Sequence, residues 1–369
     1  MKLLVNISRI LVGVLFIFSG LVKANDPLGL SYKMQEFFEV WGLHGLNDYT
    51  LMLSVLMNGF EIVAGVAVLL GWRMRLFSWL LLILIIFFTF LTGYALFSGK
   101  IKTCGCFGDC LPLSPTQSFW KDIFLLVLIV IILVKHQLVK PVLPAITNNF
   151  LIFLSIAFCI VGQWYVLTYL PVVDCLPYKI GNNLQEQMKT PEGALPDSFA
   201  ISFKYRKDGK DLVFDMNNFP EDFDEEKYEY VDRIQKLVRP ATGQAAIADF
   251  VLRNTQGGDI TDSILNQQGQ YIMLFVKDAG TAGKNWIEHA SVVAKAAAAK
   301  GIPMYIVTAT VTQVQSQLYN VDNIHIVMGD ATIIKTAARV NPTYFVMDGA
   351  FVKGKFANSN YEKVVEMLK

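Results

Sequence analysis

The sequence predicts a polytopic α-helical membrane bundle, four helices plus a fifth spanning helix, followed by a C-terminal α/β domain that faces water. Three observations predict it. The 369 residues are 53% hydrophobic and only 17% charged, where soluble domains carry about a quarter. The apolar excess lies before Pro171, and the chain beyond it has the charge content of a soluble protein. From about residue 241 onward, strand-like and helix-like apolar patterns alternate, which implies a mixed sheet covered on both faces. Basic and acidic residues nearly cancel, 32 against 31, which excludes a nucleic-acid binder working through clustered positive charge. The apolar content excludes a disordered chain.

Five apolar stretches read as spans: 3–22, 51–70, 76–97, 119–134 and 150–170. A bilayer core needs roughly 20 residues of helix. The third and fifth stretches carry no charge. The first contains Arg9 close enough to one end to snorkel. It reads as a span rather than a cleaved leader, because Arg9 interrupts the apolar run and no small-residue cleavage site follows Val22. The fourth is short and needs its flanks, Trp120 and His136. Direction follows from Lys and Arg in short loops. Lys2, Arg9, Arg73, Arg75, Lys135 and Lys140 mark the cytoplasmic side. The N-terminus is then cytoplasmic. Residues 23–50, 98–118 and everything after Pro171 are periplasmic, although Lys100, Lys102 and Lys121 run against the rule in an outer loop. In the first outer loop, Met34, Phe37, Phe38 and Trp41 share one helical face. This predicts a short interfacial helix over 31–41 that caps the bundle.

There are five cysteines. Cys159 lies in the fifth apolar stretch and reads as inert packing. Cys104, Cys106, Cys110 and Cys175 fall on the outer, oxidising side, where an even set suggests disulfides. Four cysteines allow three pairings, and spacing does not choose among them. The loop Thr103-Cys104-Gly105-Cys106-Phe107-Gly108-Asp109-Cys110 is the more telling feature. Two cysteines one residue apart close only a small, strained ring, and strain makes a disulfide easier to reduce. Cys104 and Cys106 are therefore the candidate catalytic pair. Cys175 lies just beyond the fifth stretch, where it reads as a resolving partner or as a staple of the outer domain to this loop. Lys100 and Lys102 favour a thiolate in this loop, and Asp109 opposes it. A zinc site needs a further ligand, such as His44, and Cys-x-Cys is not the usual spacing, so no metal is predicted.

Glu61 sits near the middle of the second span. A carboxylate there costs a few kcal/mol, so a partner or a proton is expected. Arg9, Lys23 and Tyr94 are within reach on neighbouring helices, and Asn58 lies one turn outward on the same face. Glu61 and Asn58 form the candidate intramembrane polar site, as a proton relay, the polar end of a quinone site, or a tether between helices.

Ser19-Gly20-Leu21-Val22-Lys23 with Asp26-Pro27, the intramembrane Glu61, Cys104-Gly105-Cys106-Phe107-Gly108, and Trp120-Lys121-Asp122 resemble the DoxX/MauE superfamily of four-helix bacterial membrane proteins. The resemblance covers about residues 1–138, and residues 139–171 add the fifth transmembrane helix. The Cys-Gly-Cys-Phe-Gly motif points to the MauE-like branch, whose namesake is needed to mature disulfide-rich methylamine dehydrogenase. DoxX relatives are linked to quinone-coupled sulfur oxidation. The resemblance implies membrane redox work on thiols. Cys110 and Cys175 lie outside the shared motif, so the resemblance implies that they form a separate resolving or structural disulfide and leave Cys104 and Cys106 as the active pair.

Residues 172–240 read as a periplasmic linker with a β-hairpin, 200–205 and 211–216, about Asp208-Gly209. The acidic cluster 221–226 reads as a solvated turn, because calcium-loop spacing is absent. In 241–369, strands are expected at 247–252, 271–276, 304–308, 324–327, 344–347 and 351–355. Helices are expected at 286–300, 311–318, 332–338 and 361–368. This order, with Val340-Asn341-Pro342-Thr343 before a strand and hairpin, resembles a membrane-anchored thioredoxin-like domain, and Pro342 matches that fold's cis-proline. The redox Cys-x-x-Cys is replaced by Lys277-Asp278-Ala279-Gly280-Thr281-Ala282-Gly283, and no cysteine follows Cys175. This domain cannot exchange dithiols itself. The expectation is a thiol–disulfide redox protein acting on a periplasmic or envelope protein, lodged in membrane lipid, with quinone as the electron acceptor. The competing expectation is a non-catalytic assembly or maturation factor that binds an envelope or secreted protein through its thioredoxin-like domain.

Overall fold

The computed structural model describes residues 1–99, 101, 105–194, 198–207, 209–215, 218–220, 223–224, 227–239, 243, 245–283, 285–318 and 321–368. Cys104, Lys100, Lys102, Asp208 and most of the acidic segment 221–226 lie outside these. The chain divides into two compact units, Met1–Leu184 with Phe250–Lys369, and Gln185–Asp249.

Among the described residues of the first unit, five helices are long and apolar enough to cross a membrane. They are α1 (Lys2–Asn25), α3 (Thr50–Leu70), α4 (Met74–Ser98), α5 (Pro115–Val134) and α6 (Ala145–Tyr169), with a short α2 (Pro27–Val40) after the first. Helix is forced on such segments because an apolar surround offers backbone groups no outside partner. Each of the spans found in sequence is present. The fourth begins earlier than its apolar run, since Ser114 and Gln117 form a capping box and Pro115 starts the helix. Lys121, expected in an outer loop, is therefore inside α5. Its charge is matched by Asp122 at 2.7 Å, which removes it from the loop-charge rule. Asp26 caps α2 by accepting from the Gly29 amide at 3.0 Å.

The closest approach in the bundle is between α1 and α3. A Cβ on Gly65 would meet the Gly13 carbonyl oxygen at 2.8 Å, and one on Gly20 would meet the Asn58 carbonyl oxygen at 3.1 Å. Small residues let the two backbones touch, the usual means of packing helices in an apolar medium. Val12, Phe16, Ala64, Val68, Leu81, Ile85, Ile129 and Ile132 fill the core between the first four spans.

The C-terminal part of this unit is an α/β domain. Its six strands are β4 (Leu252–Arg253), β5 (Gln270–Val276), β6 (Met304–Thr308), β7 (Ile324–Gly329), β8 (Thr343–Asp348) and β9 (Phe351–Ala357), in the order β4-β7-β6-β5-β8-β9. Strands β5, β6 and β7 are parallel, and β8 and β9 return antiparallel. Helices α9 (Trp286–Ala298) and α12 (Tyr361–Met367) bury Ala290, Val293, Ala294 and Val364 against Ile272, Leu274 and Val346. Further short helices are α8 (Thr261–Leu265), α10 (Val311–Gln317) and α11 (Ala331–Ala337). This is a thioredoxin-like fold, and the Asn341–Pro342 bond is cis.

Three local expectations need correction. The strand expected over 247–252 is reduced to β4, because Asp249 turns into the left-handed region at φ 57 and the Leu252 amide donates to the Thr261 hydroxyl at 2.8 Å. The segment beyond the fifth span is not all linker. The Gly181 and Leu184 amides donate to the Val352 and Ala350 carbonyls, both at 2.8 Å, so the segment covers the open edge of β9, which would otherwise expose unpaired backbone. Beyond it comes α7 (Leu184–Met188). In the second unit the hairpin strands β1 (Ser198–Lys207) and β2 (Lys210–Asp215) are joined by β3 (Glu229–Arg239) in the order β2-β1-β3. The sheet carries an aromatic layer of Tyr205, Phe214, Phe219, Phe223 and Tyr228.

Replacing Gly65 by alanine is expected to destabilise the full chain by about 1–3 kcal/mol, the usual cost of overpacking. The measurement is thermal unfolding in lipid nanodiscs. Gly162→Ala on α6 is the control, since a Cβ there meets nothing within 4 Å, and its midpoint should not fall. Equal midpoints for Gly65→Ala and the parent would remove the close helix contact from the account of the bundle.

Candidate functional site

The α1–α3 contact places Lys23 beside Glu61. Both are buried, at 3% and 1% exposure, and their side chains form an ion pair. The Ser19 hydroxyl lies between the other Glu61 oxygen, at 3.0 Å, and the Cys106 carbonyl, at 3.1 Å. One polar cluster thus ties the intramembrane carboxylate to the cysteine loop. Of the three partners in reach by sequence, Lys23 is the one used. Tyr94 instead packs edge-on against Trp41, with ring centroids 5.5 Å apart. Asn58 belongs to a different contact, since its amide donates to Gln163 on α6 at 3.3 Å.

Cys110 and Cys175 form a disulfide, with their Cα atoms 4.9 Å apart. Cys106 and Cys159 are free thiols, Cys159 buried and Cys106 half-buried. Burial pushes the Cys106 thiol up from its ordinary pKa. The Lys121 ammonium opposes this most strongly, Asp122 reinforces it, and Lys23 opposes it further. Among the described residues, the cations that act on Cys106 come from α5 and α1, and sequence proximity did not reveal them. Asp109, expected to bear on the thiols, faces Arg339 instead. Phe107 packs against Phe18, centroids 5.6 Å apart, and under the Lys121 ammonium at 5.1 Å.

Beside Cys106 is a cavity of about 200 Å³. The amphipathic α2 roofs it with Met34, Phe37, Phe38 and Trp41, the face singled out from sequence. Met57, Phe87, Phe88 and Leu91 line it from α3 and α4, and Ser19, Lys23, Lys33, Cys106 and Lys121 bring polar atoms to it. Leu53 and Phe87 line it while also lying exposed on the apolar outside of the bundle. The cavity thus has a side opening where the spans face lipid. Each lysine on its wall already has a carboxylate partner: Lys23 with Glu61, Lys33 with Glu36 at 2.7 Å, and Lys121 with Asp122 at 2.7 Å. The polar atoms are thus donors held in neutral pairs, which suits a neutral oxygen-bearing head group better than an anion.

The C-terminal domain meets the same end of the bundle. Arg339, two residues before the Asn341–Pro342 bond, is 6% exposed and grips Asp26 at 2.7 Å and Asp109 at 2.5 Å. Lys277, at the position where a redox cysteine pair would begin, donates to the Tyr32 hydroxyl at 3.1 Å. Lys355 pairs with Asp174 at 2.7 Å. Pro342 therefore sits near a face turned to the membrane domain. Three acidic residues of the bundle end meet two basic residues of the α/β domain, a third basic residue meets Tyr32, and no sequence pattern marked them as partners.

Removing one member of the Lys23–Glu61 pair leaves an unpaired buried charge, which costs about 3–5 kcal/mol, whereas removing both is far milder. Lys23→Met should lower the thermal midpoint sharply, and Lys23→Met with Glu61→Leu should regain most of it. A double variant as unstable as the single would mean that the two charges do not act as a pair.

No curated protein matches the chain as a whole. Residues 199–240 match a family described only as a domain of unknown function. A solved structure of BsSco, a member of the Sco family of cytochrome c oxidase assembly proteins in which a disulfide switch was identified, is similar at 12% identity with a TM-score of 0.26, over 32% of this chain and 88% of that one. The first four spans, the Lys23–Glu61 pair and the cysteine loop all fall within residues 1–135, and this part of the chain matches the family described as methylamine utilisation protein MauE.

Proposed function

We propose that the chain is a membrane thiol–disulfide redox protein whose working thiol is Cys106, acting with Cys104. The observation that carries this reading is the free Cys106 thiol, set between Lys121 and Lys23 at the polar side of an apolar cavity. The remaining sulfur is otherwise engaged, in the Cys110–Cys175 disulfide or in the buried Cys159. Burial keeps the free Cys106 thiol protonated at rest, and Lys121 is the nearby cation that favours the thiolate released when a partner thiol attacks the Cys104–Cys106 disulfide. Two thiols of a periplasmic or envelope protein exchange in turn with a disulfide formed between Cys104 and Cys106, so that the substrate leaves as a disulfide and the pair returns to thiols.

Re-oxidising the pair requires a two-electron acceptor that reaches the cavity from lipid. The neutral lysine pairs and aromatic walls fit a quinone. Cys104 and Cys106 lose two electrons and two protons as their S–S bond forms, and a quinone bound there supplies the sink for both. Lys23, Lys121 and Glu61 hold and pass protons at the polar side, and Phe37, Phe88 and Trp41 exclude water. The reading places the protein in the bacterial cytoplasmic membrane, with its N-terminus inside and the cysteine loop and α/β domain in the periplasm.

One observation favours a second reading. The α/β domain carries no cysteine, as befits a non-catalytic assembly factor that holds an envelope or secreted protein.

Full-length protein in nanodiscs should oxidise dithiothreitol with decylubiquinone as acceptor, and Cys106→Ser should lower the rate at least ~100-fold, the scale on which a nucleophile acts. Met57→Trp, which fills the cavity, should raise the KM for decylubiquinone more than it lowers kcat. Turnover that survives Cys106→Ser would sink the redox reading and leave the assembly factor. The pH profile adds a second check. Cys106 alkylation should have its midpoint above that of an ordinary thiol, ~8.5. Lys121→Met should move it higher still, because the cation that opposes the effect of burial is gone.

A further inference from the structure

We infer that Arg339 is a positioning residue for Cys106, through which the thiol-free α/β domain acts on the redox loop of the membrane domain. This rests on the reading of Cys106 as the working thiol.

The guanidinium is nearly enclosed and divides its donors. Its Nε donates to Asp26 at 2.7 Å, one Nη to Asp109 at 2.5 Å, and the other Nη to the Lys335 carbonyl at 2.8 Å. The two carboxylates do different work. Asp26 already caps α2 and is 15% exposed, so its position is set by a helix end. Asp109 is 42% exposed and stands in the turn between Gly108 and Cys110. Gly105 and Gly108 both have positive φ, 68 and 56, so this turn is built from residues with wide backbone freedom. Within it the Gly108 amide donates to the Gly105 carbonyl at 3.1 Å, and Phe107 packs against Phe18. Ser19 holds the Cys106 carbonyl at 3.1 Å, the disulfide holds Cys110, and Arg339 holds Asp109. Arg339 is the restraint that comes from the α/β domain. A planar fork holds both carboxylates in fixed directions, whereas a lysine ammonium is a point charge on a flexible stem.

Among the described residues, the groups facing Arg339 are Asp26, Asp109, Tyr32 and, on its own side, Lys277, Lys335 and Lys355. Those facing Cys106 are Lys121, Asp122, Lys23 and Ser118. The two sets share no residue. An effect of Arg339 on the thiol must therefore pass through the loop and not through a shared charge. Releasing Asp109 lets the turn open, brings water to Cys106 and weakens the burial that holds the thiol protonated.

The test uses the full chain in nanodiscs with Cys104→Ser and Cys159→Ser, which leaves Cys106 as the free thiol beside the intact Cys110–Cys175 disulfide. The rate of maleimide alkylation is followed against pH. Asp109→Ala, at a partly exposed position that tolerates substitution, should lower the midpoint and raise the rate at pH 7 about tenfold, as one pKa unit implies. Arg339→Met should do the same, Arg339→Lys should fall between, and the double variant should equal either single one. Asp26→Asn should change the rate less than about twofold. A rate and midpoint unchanged by Asp109→Ala overturn the inference. So does an Asp26→Asn effect as large as that of Asp109→Ala, which would make Arg339 a general domain tether. Because the readout is alkylation and needs no acceptor or substrate, loss of dithiol oxidation in Cys106→Ser bears on the redox reading alone.

Discussion

A carboxylate in the middle of an apolar helix must find a counter-charge, and the Lys23–Glu61 pair is the answer on which the membrane domain depends. The pair forms because Gly13, Gly20 and Gly65 let α1 and α3 come into backbone contact. The contact also sets Ser19 against both Glu61 and the Cys106 carbonyl. The cysteine loop is therefore anchored to the bundle from beneath. From that anchor follow the position of Cys106, its exposure to Lys121, and the cavity that α2 closes from above. A buried ion pair contributes little net stability. Its effect here is register, because only one rotation and depth of α1 against α3 brings the two charges together.

The second constraint acts at the water-facing end. Asp26, Asp109 and Asp174 lie in three separate connections of the membrane domain, and each meets a cation of the α/β domain. Burial pulls the Lys355 ammonium below its usual pKa, and Asp174 resists that shift. Lys277 is likewise pulled down by burial. Such desolvated contacts are specific because a misplaced partner leaves a charge unpaired. The thioredoxin-like face that in other proteins carries cysteines is used here for docking. The fold has been kept without its chemistry, and fold alone does not carry activity.

The cavity shows how one segment serves two ends. Met34, Phe37, Phe38 and Trp41 make α2 amphipathic, which by itself describes a helix lying at an interface. Its apolar face covers the cavity as much as it meets the bundle, while Tyr32 on the same helix receives Lys277 from the α/β domain. The residues between Asp26 and Trp41 thus separate an apolar chamber from an ionic contact within a few turns.

Much of this was legible in the residues. Apolar runs long enough to span, the alternation of strand and helix, and the cis-proline neighbourhood are local or periodic signals, and the chain's own physics produces them. The isolation of Glu61 and the spacing of Cys104 and Cys106 marked the candidate site. Other features were decided by tertiary structure. Lys23 rather than Arg9 or Tyr94 meets Glu61 because the glycine contact sets the depth of α1. Lys121 reaches Cys106 because the Ser114 cap starts α5 early and turns that residue inward. Cys110 joins Cys175 because the chain end beyond α6 returns to the same loop. Asp109 answers to Arg339 across a sequence separation of 230 residues. Composition and period are properties of neighbouring residues and survive in a one-dimensional reading. Partner choice among charges and thiols depends on which distant segments the fold brings within a few ångströms, and that is fixed only when the helices and the sheet have packed.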